Sequence, residues 1–212
     1  GTLYSITSGA RNSALGFQSQ SSIDTGSDNT TLGYQSMQAG NGAVSNCTAF
    51  GSQTLAGALT TGANGSTAIG MMALNALTSG VNTAIGKDSQ KLITTGTGNT
   101  TIGLRTMDAS GVNVNSCTAV GHDALGGVLT NGANGSTAIG YQALTTLTSG
   151  SLNTGIGYQN QLVITDGANN TTMGYGVLGN SSNAGDLSHC VGIGANCLTG
   201  VLSTGANGTV GV

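Results

Sequence analysis

The sequence predicts an all-β fold, a β-solenoid or parallel β-roll of about twelve coils of 16–20 residues. Three observations predict it. A five-residue motif recurs along the whole chain at nearly constant spacing, Gly/Asn/Ser/Thr clusters separate the copies, and the composition leaves no material for a conventional core.

The motif runs Asn, Ser or Cys, then usually Thr, a small residue, an aliphatic residue and Gly. It reads Asn12-Ser13-Ala14-Leu15-Gly16, Asn29-Thr30-Thr31-Leu32-Gly33, Cys47-Thr48-Ala49-Phe50-Gly51 and Ser66-Thr67-Ala68-Ile69-Gly70. Its glycine returns at Gly86, Gly103, Gly121, Gly140, Gly157, Gly174, Gly194 and, degenerately, Gly211. The spacings are 17, 18, 19, 16, 17, 18, 19, 17, 17, 20 and 17, a pattern that itself repeats every four coils. The chain is therefore a single array of three four-coil modules, 1–70, 71–140 and 141–212, without evident caps. The residue four before the glycine confirms the phase: Asn, Asn, Cys, Ser in the first two modules, then Asn153, Asn170, Cys190 and Asn207. Four residues after the glycine, Gln20, Gln90 and Gln161 open the modules, and Leu or Met follows.

Such coils are too short for a helical repeat, and no 3.6-residue apolar pattern is sustained. Two pieces per coil read as short strands, Thr-Ala-Ile-Gly and Ala-Leu-x-x-Leu, separated by turn clusters such as Thr61-Gly62-Ala63-Asn64-Gly65-Ser66. Coils stacked about 4.8 Å apart would make a rod on the order of 60 Å long.

Composition narrows the function. Of 212 residues, 5% are charged and 3% aromatic, with 38 Gly, no Pro and no Trp. Charge is normally about 25% of a soluble domain, so this chain buries small residues repetitively instead. The net charge is −3 and the four basic residues, Arg11, Lys87, Lys91 and Arg105, read as scattered, which removes the footprint of a nucleic-acid binder. No apolar run is long enough to span a membrane.

Stacking turns equivalent residues into columns. Nine threonines (Thr30, Thr48, Thr67, Thr83, Thr100, Thr118, Thr137, Thr154 and Thr171) form one. An ice-binding surface would need a second beside it, and that one is interrupted by Ala14, Ala49, Ala68, Ala84, Ala119 and Ala138. The Asn column, Asn12, Asn29, Asn82, Asn99, Asn153 and Asn170, is expected to satisfy turn backbone groups and to bond between coils. Phe17, Tyr34, Tyr141, Tyr158 and Tyr175 follow the glycine, usually with Gln next, and form either a surface-contact column suited to sugars or a packing column. Cys47, Cys117 and Cys190 are module equivalents. Four coils apart, about 19 Å, they are too distant to pair with one another. Buried free thiols, interchain bonds or a Cys190–Cys197 link remain open.

No catalytic constellation, metal-ligand spacing or cofactor loop is present. His122-Asp123 and the Asp186/His189 pair lack a nucleophile motif. The chain is expected not to be an enzyme and to need no cofactor, a glycan-cleaving face of carboxylates being the residual alternative.

The motif resembles the head repeats of trimeric autotransporter adhesins and the Asn-Thr-Ala-Ile-Gly-Tyr-Gln-Ala-Leu arrays of phage tail fibres, matched here by Ser136 to Leu144 and Asn153 to Gln159. It covers essentially the whole chain, although the coils are longer than adhesin coils and Thr stands where Val is usual. The resemblance implies a left-handed parallel β-roll, an elongated fibre outside the cell or on a virion, and a three-chain assembly. Expected partners are further copies of the chain, as a homotrimer or stacked end to end, and a cell-surface glycan or receptor. End-to-end stacking is also suggested by Gly208 to Val212, which reads on into Gly1 to Gly9 with a Gly211-to-Gly16 spacing of 17. A fibre with a surface-adhesion role is the leading expectation; a glycan- or ice-binding face is the alternative.

Overall fold

The structure is a computed structural model that describes residues 1–2, 7–39, 43–109, 113–161, 164–178, 187–200 and 206–212. Its strands are β1 (Ser13–Leu15), β2 (Thr30–Leu32), β3 (Thr48–Phe50), β4 (Thr67–Ile69), β5 (Thr83–Ile85), β6 (Thr100–Ile102), β7 (Thr118–Val120), β8 (Thr137–Ile139), β9 (Thr154–Ile156), β10 (Thr171–Met173), β11 (Val191–Ile193) and β12 (Val210–Gly211). They form one 12-stranded sheet in strict sequence order. Every pairing is parallel, and from β1 to β11 it is motif on motif, as in Thr67↔Thr83, Ala68↔Ala84 and Ile69↔Ile85. The fold is an all-β solenoid.

The strands β1 to β11 are three residues each because the motif carries one inward side chain between two outward ones, the period of two that a strand imposes. The central residue (Ala49, Ala68, Ala84, Ala119 or Ala138) is buried, while the flanking Thr and aliphatic residues are half-buried or exposed. Strand N–H groups donate alternately to the two neighbouring coils: Thr48 N–H to Ser66 O at 3.0 Å, and Gly51 N–H to Leu32 O at 2.7 Å.

The second expected strand, Ala-Leu-x-x-Leu, is a turn. Met72 and Leu74 have φ of 59° and 50°, and the equivalent pairs Gln18/Gln20, Gln35/Met37, Gln53/Leu55 and Gln142/Leu144 share that left-handed geometry. A strand cannot contain such residues. The turn nevertheless continues the ladder: Gln35 N–H donates to Phe17 O at 2.9 Å, and Met37 N–H donates to Thr54 O at 2.9 Å. Short 3₁₀ turns at Thr61–Ala63 and Asn131–Ala133 complete the equivalent coil of the first two modules. The interior between strand and turns is filled by the strand alanines together with residues such as Leu55, Leu59, Leu74, Leu77 and Ile93, all fully buried.

The last repeat sits two residues away from the register read in the sequence. Val210 pairs with Val191 and Gly211 with Gly192, so Gly211 occupies the place of the strand alanine rather than of the motif glycine. The ladder residue of this coil is accordingly Thr209, whose carbonyl accepts from Val191 N–H at 2.9 Å, and Asn207 is the counterpart of Asn64. The Gly211-to-Gly16 spacing therefore no longer compares equivalent residues, and the Leu3–Ile6 part of that comparison lies outside the described residues.

The motif glycines form the corner after each strand. Gly103 and Gly121 have φ of 141° and 126°, and a Cβ on either would lie 2.5 Å from the carbonyl oxygen of the next coil's glycine. Left-handed backbone and close approach both demand glycine here. Gly103→Ala is expected to cost at least about 2 kcal/mol and to lower the thermal midpoint in circular dichroism melts.

Candidate interaction surface

The sheet presents one long outward face. Its two columns are the threonines and the apolar residue two positions on: Leu15, Leu32, Phe50, Ile69, Ile85, Ile102, Val120, Ile139, Ile156, Met173 and Ile193. No charged residue stands in either column. Leu15 is 70% exposed, Leu32 46%, Ile102 43% and Met173 50%, which is unusual for aliphatic side chains arranged in one contiguous stripe. An apolar groove of about 300 Å³ opens on this face between Leu15, Leu32 and Phe50.

The second threonine column does not join it. Thr31, Thr101 and Thr172 occupy the central strand position and point inward, at most 2% exposed, because alternate strand residues face opposite ways. The paired hydroxyl array of an ice-binding surface is therefore not formed, and the outward neighbour of the Thr column is aliphatic.

Beside this face, the aromatic column forms two stacks. Phe17 and Tyr34 lie 6.0 Å apart at 9°. Tyr141, Tyr158 and Tyr175 follow one another at 5.1 and 5.5 Å, with interplanar angles of 17° and 13°. His122 caps the second stack at 5.4 Å from Tyr141, a member that an aromatic search over Phe, Tyr and Trp misses. Stacking covers the ring faces with neighbouring rings, so ring edges and hydroxyls are what the column offers outward. The neighbouring amides also run in line: Gln35 Nε2 donates to Gln18 Oε1 at 2.9 Å and Gln159 Nε2 to Gln142 Oε1 at 3.0 Å.

The basic residues are less scattered than their numbering suggests. Lys87 and Lys91 approach Asp88 at 3.8 and 3.4 Å, and one coil further on Arg105 pairs with Asp123 at 2.9 Å. Asp123 also lies 3.0 Å from His122 Nδ1. Eighteen residues separate Arg105 from Asp123 in the chain, but one coil separates them in space. Asp108 belongs to the same corner: burial, and then the neighbouring Asp123 carboxylate, push its pKa up. Arg11 forms a two-pronged pair with Asp28 at 2.6 and 2.7 Å. Asp186, the expected neighbour of His189, lies outside the described residues.

The Asn column is a hydrogen-bond ladder built into the backbone. Asn29 Nδ2 donates to Val44 O at 2.7 Å while Asn29 Oδ1 accepts from Cys47 N–H at 3.0 Å. Asn99 repeats this with Val114 O at 2.6 Å and Cys117 N–H at 2.9 Å. Asn12, Asn82, Asn153 and Asn170 make equivalent donations to the next coil. A direct amide-to-amide bond also joins Asn170 Nδ2 to Asn153 Oδ1 at 3.0 Å. Each amide thus serves one orphan acceptor and one orphan donor of the coil that follows.

Cys47, Cys117 and Cys190 continue the same column. Their thiols are free and buried, and each reaches a carbonyl of the next coil: Ala63 and Ala133 at 3.4 Å, Ala206 at 3.5 Å. Cys197 is also free, so no Cys190–Cys197 link is formed. Burial pushes the Cys47 and Cys117 thiols up.

Among the described residues no group of three or more His, Cys, Asp or Glu is placed to hold a metal, and no helix is long and apolar enough to cross a membrane. No family model, curated protein or solved structure matches the chain.

Removing Asn99 would strand two buried backbone groups. Asn99→Ala is expected to cost about 2–4 kcal/mol, read as a lower denaturant midpoint. The thiols give a pH dependence with a definite sign. Because their pKa is raised in the fold, the folded chain retains protons that the unfolded chain loses above about pH 8.5, so stability falls as pH rises beyond that point. Ser66 and Ser136 occupy the same column, so Cys47→Ser with Cys117→Ser is expected to keep the ladder and flatten the alkaline slope of the unfolding free energy.

Proposed function

We propose that the chain is a structural segment of a fibre, outside the cell or on a virion, in which copies pack side by side through the outward strand face. The observation that carries this reading is the uncharged Thr/aliphatic stripe along a single 12-stranded sheet. Twelve coils of about 4.8 Å and a width of some 12–15 Å give roughly 700–860 Å², close to the share each partner buries in a standard stable interface. A second copy carries the same axial repeat, so Ile and Leu ridges meet at every coil. A partner without that repeat meets the stripe at isolated points only. Three chains about the long axis is the assembly that the resemblance to adhesin heads implies.

The role in this reading is mechanical and adhesive, without catalysis. Each Lys and Arg is held by an aspartate, which leaves no free basic strip for nucleic acid. Surface contact with a glycan or receptor is a second reading, favoured by the aligned Tyr hydroxyls and Gln amides at Tyr141-Gln142 and Tyr158-Gln159. Edge-on hydroxyls and amides suit hydrogen bonding to sugar hydroxyls rather than stacking beneath a sugar ring.

Light scattering with size exclusion and negative-stain imaging of the chain test the first reading. The expected result is an elongated assembly of several copies that Leu32→Lys with Ile102→Lys converts to monomers of unchanged circular dichroism. Compact monomers of the unmodified chain at micromolar concentration would overturn it.

A further inference from the structure

Apart from the Asn/Ser ladder and Thr54, the buried polar side chains cluster in one layer that recurs in each module. Four residues after the motif glycine the core residue is Leu or Met in most coils, as at Leu55, Leu74 and Met107. In the first coil of each module it is Gln20, Gln90 or Gln161, with no exposed surface. The next coil places Thr31, Thr101 or Thr172 at its inward strand position, where the others carry Ala or Gly. The Gln–Thr pair occurs once per module, four coils or about 19 Å from its next copy.

The bonds of this layer leave the glutamine Oε1 without a partner in all three modules. Gln90 Nε2 donates to Thr83 O at 3.2 Å and to Thr101 Oγ1 at 2.9 Å, and Gln161 Nε2 donates to Thr154 O at 3.2 Å and to Thr172 Oγ1. These contacts fix which end of each amide is nitrogen, since the reversed amide would set oxygen against a carbonyl oxygen. Oε1 of Gln90 and of Gln161, and both polar ends of Gln20, then make no hydrogen bond although they are buried. A buried acceptor left unpaired costs about 1–3 kcal/mol, and this one recurs three times in register. A polar side chain is bonded to the layer's threonine each time. Ser89 bridges Thr101 and Thr106 at 2.6 and 2.8 Å, and Ser19 bridges Thr31 and Ser36 at 2.6 and 3.0 Å. In the third module Val177 replaces the outer hydroxyl, and Asn160 supplies the polar group bonded to Thr172.

We propose that each module encloses an internal hydration site, where one ordered water donates a hydrogen bond to the glutamine Oε1 and directs its others to the adjacent hydroxyl cluster. A buried water makes about three hydrogen bonds to otherwise unsatisfied polar groups, and a buried Gln within a cluster of hydroxyls supplies that chemistry. The site also marks register. A coil slipped by one position sets the glutamine against alanine and removes both the hydroxyl partner and the polar wall.

A high-resolution crystal structure and oxygen-17 relaxation dispersion of the intact chain test this together. Expected are density peaks within about 2.6–3.2 Å of Gln90 Oε1 and Gln161 Oε1, and long-lived waters whose number falls by one in Gln90→Leu with Thr101→Ala. That pair reproduces Leu74 and Ala84, which meet in the same way at another coil junction, so the variant has a native precedent for folding. A protein donor on Oε1 in the crystal, no density there, or an unchanged count of long-lived waters in the folded variant would each overturn the proposal.

Discussion

The separation of one coil from the next, about 4.8 Å, is the constraint on which the rest of the structure depends. At the corner after each strand it brings backbone against backbone, so that a methyl group on Gly103 or Gly121 would sit 2.5 Å from the neighbouring carbonyl. Glycine there lets each strand lie directly on the previous one, and the motif register of the pairings from β1 to β11 follows. On the other side of the strand, the Asn ladder supplies what the backbone alone cannot. Its amides close the corner groups of the following coil, and Ser and Cys fill the same place with a hydroxyl or thiol.

With the axial spacing held this tightly, side chains need only fill a narrow interior. Alanine on the strand and Leu, Ile or Met on the turns suffice, so the fold needs no tryptophan and few aromatic rings. The cost appears in the backbone. Leu74, Leu125 and Leu144 sit at φ of 50°, 50° and 55°, a region that costs roughly 1–2 kcal/mol for residues other than glycine. Each such leucine also buries its side chain fully and donates its N–H to the next coil, which offsets that strain.

The same geometry separates scaffold from variable surface. The inward columns and the Asn ladder barely change between modules. The positions one and two after the motif glycine differ throughout: Phe17-Gln18 and Tyr34-Gln35 in the first module, Lys87-Asp88, Leu104-Arg105 and His122-Asp123 in the second, Tyr158-Gln159 and Tyr175-Gly176 in the third. An aromatic and amide edge thus gives way to a paired-charge corner in the central coils and then returns. The columns hold side chains at a fixed spacing whatever their chemistry.

The repeat, its four-coil module, the need for glycine at the corners and the backbone-satisfying role of the Asn column follow from the sequence by itself, because each is a one-dimensional consequence of identical coils stacked in order. What only the tertiary structure decided is which way each column points and which residues meet across coils. The inner threonines point inward because strand residues alternate, and Ala-Leu-x-x-Leu is a turn because its residues adopt left-handed angles that no composition signals. Arg105 and Asp123 meet because a coil length brings them together, a distance invisible to local pattern. The place of Gly211 was decided in the same way, since the pairing of Val210 with Val191 and of Gly211 with Gly192 outweighs its likeness to the motif glycine. Sequence order dictates the stack; facing direction and inter-coil contact belong to three dimensions.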